Sequence, residues 1–147
     1  MSRTLSFPIP PHPRRGNQGH FVPPTEEFAW HGLVFRTRSE LAIAKAFDAA
    51  GVTFFPGCVC RITDSKGARV KREPDFLVIH FGVAAILELD GKPHQGRAAY
   101  DHTRDRLFKR RAGIWVIERV PSQFALEHPN VVVRGFLDLI LAYRETA

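Results

Sequence analysis

Three carboxylates in this chain stand where β-strands disfavour them. Pro74-Asp75 precedes the apolar run Phe76-Leu77-Val78-Ile79, and Glu88-Leu89-Asp90 ends the run Ala84-Ala85-Ile86-Leu87. Strands are depleted in Asp and Glu, so each of these positions calls for a reason. Alternate strand residues share a face and lie roughly 6.5–7 Å apart. Glu88 and Asp90 therefore share a face, joined by Lys92 if the strand continues. Asp75 lies on the neighbouring strand across a short turn and can be brought alongside. Like charges gathered in this way are costly unless they share a proton or a cation, and carboxylate oxygens suit a hard divalent ion. The competing arrangement is ion pairing with arginines at a sheet end.

The elements that must position these groups are legible from periodicity and turn residues. Thr37-Arg38-Ser39-Glu40 fits a capping box at the start of a helix, with Leu41, Ile43, Ala44 and Phe47 as its buried stripe and Gly51 as its stop. Residues 52–63 read as a strand, Asp64-Ser65-Lys66-Gly67 as a hairpin turn, and 69–81 as the returning strand. Pro74 marks an edge or a bulge in that second strand. Gly82 turns the chain into a third strand over 83–90. A helix over 97–111, a strand over 114–120 and a final helix over 131–143 complete the order α-β-β-β-α-β-α. A three-strand antiparallel meander followed by a helical crossover predicts an α/β fold with a mixed sheet.

The length of 147 residues fits one domain, and 44% hydrophobic content suffices for one core. Residues 1–30 are rich in proline and carry scattered Arg and His, which predicts an irregular basic arm ahead of a domain over 31–147. No apolar run approaches the ~20 residues of a membrane span, and prolines interrupt any signal-peptide core, so a cytoplasmic protein is expected. Cys58 and Cys60 are expected to be reduced thiols. The net charge of +6 is uneven. Lys and Arg exceed Asp and Glu over 1–39 and over 93–147, while 40–92 balance. Basic ends around a carboxylate-bearing centre suit a polyanionic partner.

With a helix, then Pro74-Asp75, then the Glu88/Asp90/Lys92 strand, then a helix and a strand, the sequence resembles the PD-(D/E)XK restriction-endonuclease-like nucleases. Glu88-Leu89-Asp90-Gly91 with His94, Tyr100-Asp101 and Arg104-Asp105 in the next helix, and Val116-Ile117-Glu118-Arg119 beyond, resemble a branch of small proteins similar to the very short patch repair endonuclease. The resemblance spans about residues 31–125. It implies an α-β-β-β-α-β core with a mixed sheet flanked by helices, to which this chain adds a C-terminal helix. It also implies Mg²⁺ or Mn²⁺ held by Asp75 and Glu88, polarising a phosphate, acidifying a water and stabilising the leaving 3′-oxygen.

The superfamily's lysine follows its strand acid by two residues, where this chain has Asp90. Two registers are open. Glu88 and Asp90 both bind the ion, as the branch pattern Glu-x-Asp-Gly suggests, or Asp90 binds it and Lys92 orients the attacking water. His94 lies where the branch places a histidine that can act as a base; otherwise it is a loop residue. Glu40 is either a capping residue or, as the superfamily often has it, an outer contributor to the metal site; the two roles can coexist. Arg104 shares a helix face with Tyr100 and Phe108 and needs a partner if buried: Asp101, Glu118 or a phosphate. Lys71, Arg72, Arg106, Lys109, Arg110 and Arg111 are the remaining candidates for binding a nucleic-acid backbone. These readings lead to a metal-dependent phosphodiesterase, a DNA endonuclease by resemblance, which needs a second copy or a partner protein to cut both strands. The alternatives are a non-catalytic nucleic-acid-binding module and a nuclease subunit of a larger repair or defence assembly.

Overall fold

A computed structural model describes residues 28–91 and 97–147, and of residues 97–101 the backbone alone. A small hairpin comes first, β1 (Ala29–Trp30) and β2 (Leu33–Val34), turning through His31 and Gly32 at φ 50° and 74°. Helix α1 (Arg38–Ala49) begins as its capping box predicts, with Thr37 Oγ1 accepting from the Glu40 N–H at 3.1 Å. Ile43, Ala44 and Phe47 are buried on its inner stripe.

Both long strands expected over 52–63 and 69–81 are interrupted. The first divides into β3 (Thr53–Pro56) and β4 (Cys60–Thr63), the second into β5 (Arg69–Arg72) and β6 (Phe76–His80). The two breaks face each other, and the Gly57 N–H donates to the Asp75 carbonyl at 2.8 Å. Gly57 takes φ 55°, a left-handed conformation that costs other residues strain, and Pro74 removes a ladder donor from the returning strand. The hairpin therefore bends: β3 and β6 join the main sheet, while β4 and β5 pair as a separate two-stranded sheet.

The remaining elements are β7 (Val83–Asp90), α2 (Arg97–Ala112), β8 (Val116–Pro121), α3 (Ser122–Glu127) and α4 (Pro129–Thr146). The main sheet runs β3-β6-β7-β8, antiparallel through β7 and parallel between β7 and β8, with α2 as the crossover. The protein is thus an α/β fold with a mixed sheet. Helix α3 was not anticipated, nor was the first hairpin.

Residues on one sheet face, among them Phe76, Val78, Ala85 and Leu87, pack with α1, α3 and α4. Phe47 lies at the centre of that layer, its ring 5.4, 5.5 and 6.2 Å from those of Phe54, Phe76 and Phe136. On the other face Ile86, Leu77 and Ile117 pack with Phe108 of α2 and Ile62 of the β4–β5 sheet. With layers on both sides, β7 buries four consecutive residues, Ala85 to Glu88, which accounts for its unbroken apolar sequence before the acid. Among the described residues no helix is long and apolar enough to cross a membrane.

Candidate active site

The pairing of Phe76 with Leu87 sets Asp75, the residue just before β6 begins, directly opposite Glu88. Each carboxylate is held by the other strand's backbone. The Asp75 N–H donates to Glu88 Oε2 at 3.1 Å, and the Leu89 N–H donates to Asp75 Oδ2 at 2.8 Å. Glu88 is only 4% exposed. Burial first, and the Asp75 charge second, push its carboxyl up to about 8 against the opposing pull of Arg104.

Arg104 reaches the pair from α2. Its Nη2 lies 3.4 Å from Glu88 Oε1 and donates to the Glu73 carbonyl at 2.9 Å, while its buried Nε has no hydrogen-bond partner. Glu118, one of the partners weighed from sequence, pairs in register with Leu87 and therefore belongs to the opposite sheet face. The Asp101 side chain lies outside the described residues. Arg119, in register with Glu88, holds Asp105 of α2 at 2.6 Å and Asp90 at 3.5 Å.

Asp90 therefore stands apart from the Asp75–Glu88 pair, with its side chain 47% exposed beside Arg119. Among the described residues, no three His, Cys, Asp or Glu side chains gather as a metal-binding group. Glu40 takes part in the start of α1 and lies near Asp75. Its Oε2 accepts from the Arg36 N–H at 3.0 Å as part of the cap. It is also close enough to Asp75 for that charge, added to burial, to raise its carboxyl. Lys92 and His94 lie outside the described residues.

The Asp75–Glu88 pair fits a small divalent ion. One buried and one half-buried carboxylate, of like charge and with Arg104 beside Glu88, favour a cation, and Mg²⁺ is commonly held by one or two carboxylates while keeping several waters. Its chemistry matches the oxygen donors that the two carboxylates supply.

Next to this pair, Arg104 also lines a cavity of about 620 Å³ between the Asp64–Lys66 turn and α2. Arg72, Arg106, Arg110 and Arg111 line it too, together with Lys66, a residue that the sequence reading did not select. The signal for Lys66 was available only in three dimensions, because its turn belongs to a different sheet. Lys71 and Lys109, the other two candidates for backbone binding, do not line this cavity. Compared with known protein families, with curated proteins and with solved structures, the chain shows no match.

Proposed function

We propose that this protein is a metal-dependent phosphodiesterase that cleaves nucleic acid, with DNA favoured by its resemblance to PD-(D/E)XK nucleases. The observation that carries the reading is the pair of half-buried Asp75 and buried Glu88, opposed across the start of β6 and the end of β7 beside a cation-lined cavity. In the main sheet and its helices the order α1, β3, β6, β7, α2, β8 supports the restriction-endonuclease-like core as its topology.

In this reading Asp75 and Glu88 hold Mg²⁺ or Mn²⁺. The bound ion supplies Lewis-acid polarisation of the phosphate and a more acidic water. The chain's own residues do the rest. The Asp75 and Leu89 amides fix one oxygen of each carboxylate, leaving Asp75 Oδ1 for the site and Glu88 Oε1 beside Arg104. Arg104 balances the charge of Glu88 and stands between the pair and the basic cavity, placed to meet a phosphate oxygen. Lys92 and His94 are the candidates for handling the proton of the attacking water.

A non-catalytic nucleic-acid-binding module is the second reading. The observation favouring it is Asp90, engaged by Arg119 instead of completing a carboxylate trio. One pair of experiments separates the two. Calorimetry with Mn²⁺ is expected to show binding that Asp75→Ala abolishes, and supercoiled plasmid is expected to be cut with Mg²⁺ or Mn²⁺ but not with EDTA or by Asp75→Ala. Nucleic-acid binding with neither metal binding nor cleavage would select the module.

A further inference from the structure

The cavity beside the carboxylate pair has a shape and a charge that go beyond a general basic surface. Its α2 wall is formed by Thr103, Arg104, Leu107, Arg110 and Arg111, with Arg106 at its margin. These positions recur at helical spacing and make one face of α2. Cations in the last turn of a helix are ordinarily explained by the helix dipole, and Arg110 and Arg111 of α2 meet that description. The dipole does not account for Lys66 and Arg72, which approach from the β4–β5 sheet across the cavity.

Six cationic side chains thus face one space from two independently folded elements. Among the described residues the single carboxylate lining it is Asp64, and its Oδ1 is occupied by the turn's own backbone, accepting from the Lys66 and Ala68 N–H groups at 2.9 Å each. Such crowding of like charge opposes folding unless an anion takes the space. A single small anion would leave most of the six cations unmatched, whereas consecutive phosphates match charges spread along a helix face.

The cavity, about 620 Å³ and open to solvent, is bounded on one side by the β4–β5 turn and on the other by α2, so the phosphates of one strand lying in it meet cations from both walls. A duplex holds its two backbones apart across its grooves and can lay only one of them between those walls. Arg104 belongs both to the cavity and to the contact with Glu88, so a strand lying in the cavity has its backbone led to the carboxylates. The guanidinium groups that line the cavity offer contacts to sugar and phosphate and, by stacking, to bases of any identity.

We propose that the space between the β4–β5 turn and α2 is a track for one nucleic-acid strand, gripped by its phosphates and delivered through Arg104 to Asp75 and Glu88. The preferred substrate class is accordingly single-stranded nucleic acid or a single-stranded segment beside a duplex. This inference rests on the proposed nuclease reading for what the track delivers to, but the grip itself is measurable without catalysis.

The test uses the full chain in EDTA, where no metal-dependent cleavage proceeds, with a fluorescein-labelled single-stranded DNA oligonucleotide and the same strand in a duplex. Fluorescence anisotropy is expected to show tighter binding of the single strand. Arg106 and Arg110 are exposed, so the double variant Arg106→Ala/Arg110→Ala is expected to melt as the wild type does. It should bind about tenfold more weakly, with a salt slope smaller by about 1.4, the value for two lost phosphate contacts on a single strand. Arg134→Ala/Arg144→Ala, at two exposed positions of α4 across the sheet, is the charge-matched control and should bind unchanged. Tighter duplex binding, or a double variant that binds like the wild type, overturns the track. Asp75→Ala, assayed in parallel, should bind the strand normally while failing to cut. A wild type that binds as described but cuts nothing would remove the nuclease and leave the track standing. Cleavage that the double variant retains in full would do the reverse.

Discussion

Glu88 is the residue whose environment departs furthest from what its type prefers. It is buried at the end of a central strand and faces a second carboxylate, with one guanidinium at 3.4 Å. The folded protein therefore holds its proton more tightly than the unfolded chain does, from the ordinary value of 4.5 up to about 8. Across that interval the folded state carries more protons, so stability must fall as pH rises. The contribution is fully present below about pH 4.5 and is lost as pH passes through about 8. In EDTA, the melting temperature of the wild type is expected to decline between pH 5 and 8 more steeply than that of Glu88→Gln, which has no proton to lose there. Equal slopes would show that Glu88 is not the group responsible. The acid itself was legible in the sequence, because a Glu after Ala84-Ala85-Ile86-Leu87 breaks strand preference. Its companions were less so: Asp75 was readable from Pro74 and the short turn, whereas the capture of Asp90 by Arg119 depends on a parallel register that strand alternation within one segment cannot reveal.

At the level of elements, the bend in the β3–β4/β5–β6 hairpin decides where the chemistry sits. A straight hairpin over 52–81 would have run Asp75 through mid-strand. The opposed interruptions at Gly57 and at Pro74 instead lift β4 and β5 out of the sheet and leave Asp75 at the start of β6, opposite Glu88. Pro74 announced a bulge in the sequence, but Gly57 sat inside an apolar run rich in Phe, Val and Cys, where a continuous strand was the simpler reading. Helix α3 escaped for a related reason: six residues are too short for a helical period to emerge, and they have no side-chain cap. An added Cβ at Gly57 meets nothing closer than 4.0 Å, so Gly57→Ala tests the backbone conformation alone. It is expected to cost about 1–2 kcal/mol in urea unfolding, the penalty of a left-handed residue with a side chain. Phe47→Ala, by contrast, empties the junction of α1, β3, β6 and α4 and is expected to cost about 3–5 kcal/mol in the same measurement. Reversal of that order would mean that the bend, and not the aromatic junction, dominates stability.

For the whole molecule, the question is how many phosphodiesters one binding event can present to the proposed nuclease. Each chain has one Asp75–Glu88 pair, and it lies at the end of the sheet where β7 finishes. The exposed apolar residues Ile79, Phe81 and Trp115 lie toward the other end, around the His80–Val83 turn and the start of β8. A second copy docked through them would hold its own carboxylates far from the first pair, so the two sites would not meet on opposite strands of one duplex position. A track that admits a single strand points the same way. Cutting of both strands in one encounter, for which the sequence suggested a dimer or a partner, is therefore not expected of this chain acting alone. Supercoiled plasmid treated with the protein and Mn²⁺ should accumulate as nicked circles before linear molecules appear, at an initial rate proportional to protein concentration. Linear product arising without a nicked precursor, at a rate rising with the square of concentration, would show instead that two copies bring their carboxylate pairs together on the substrate.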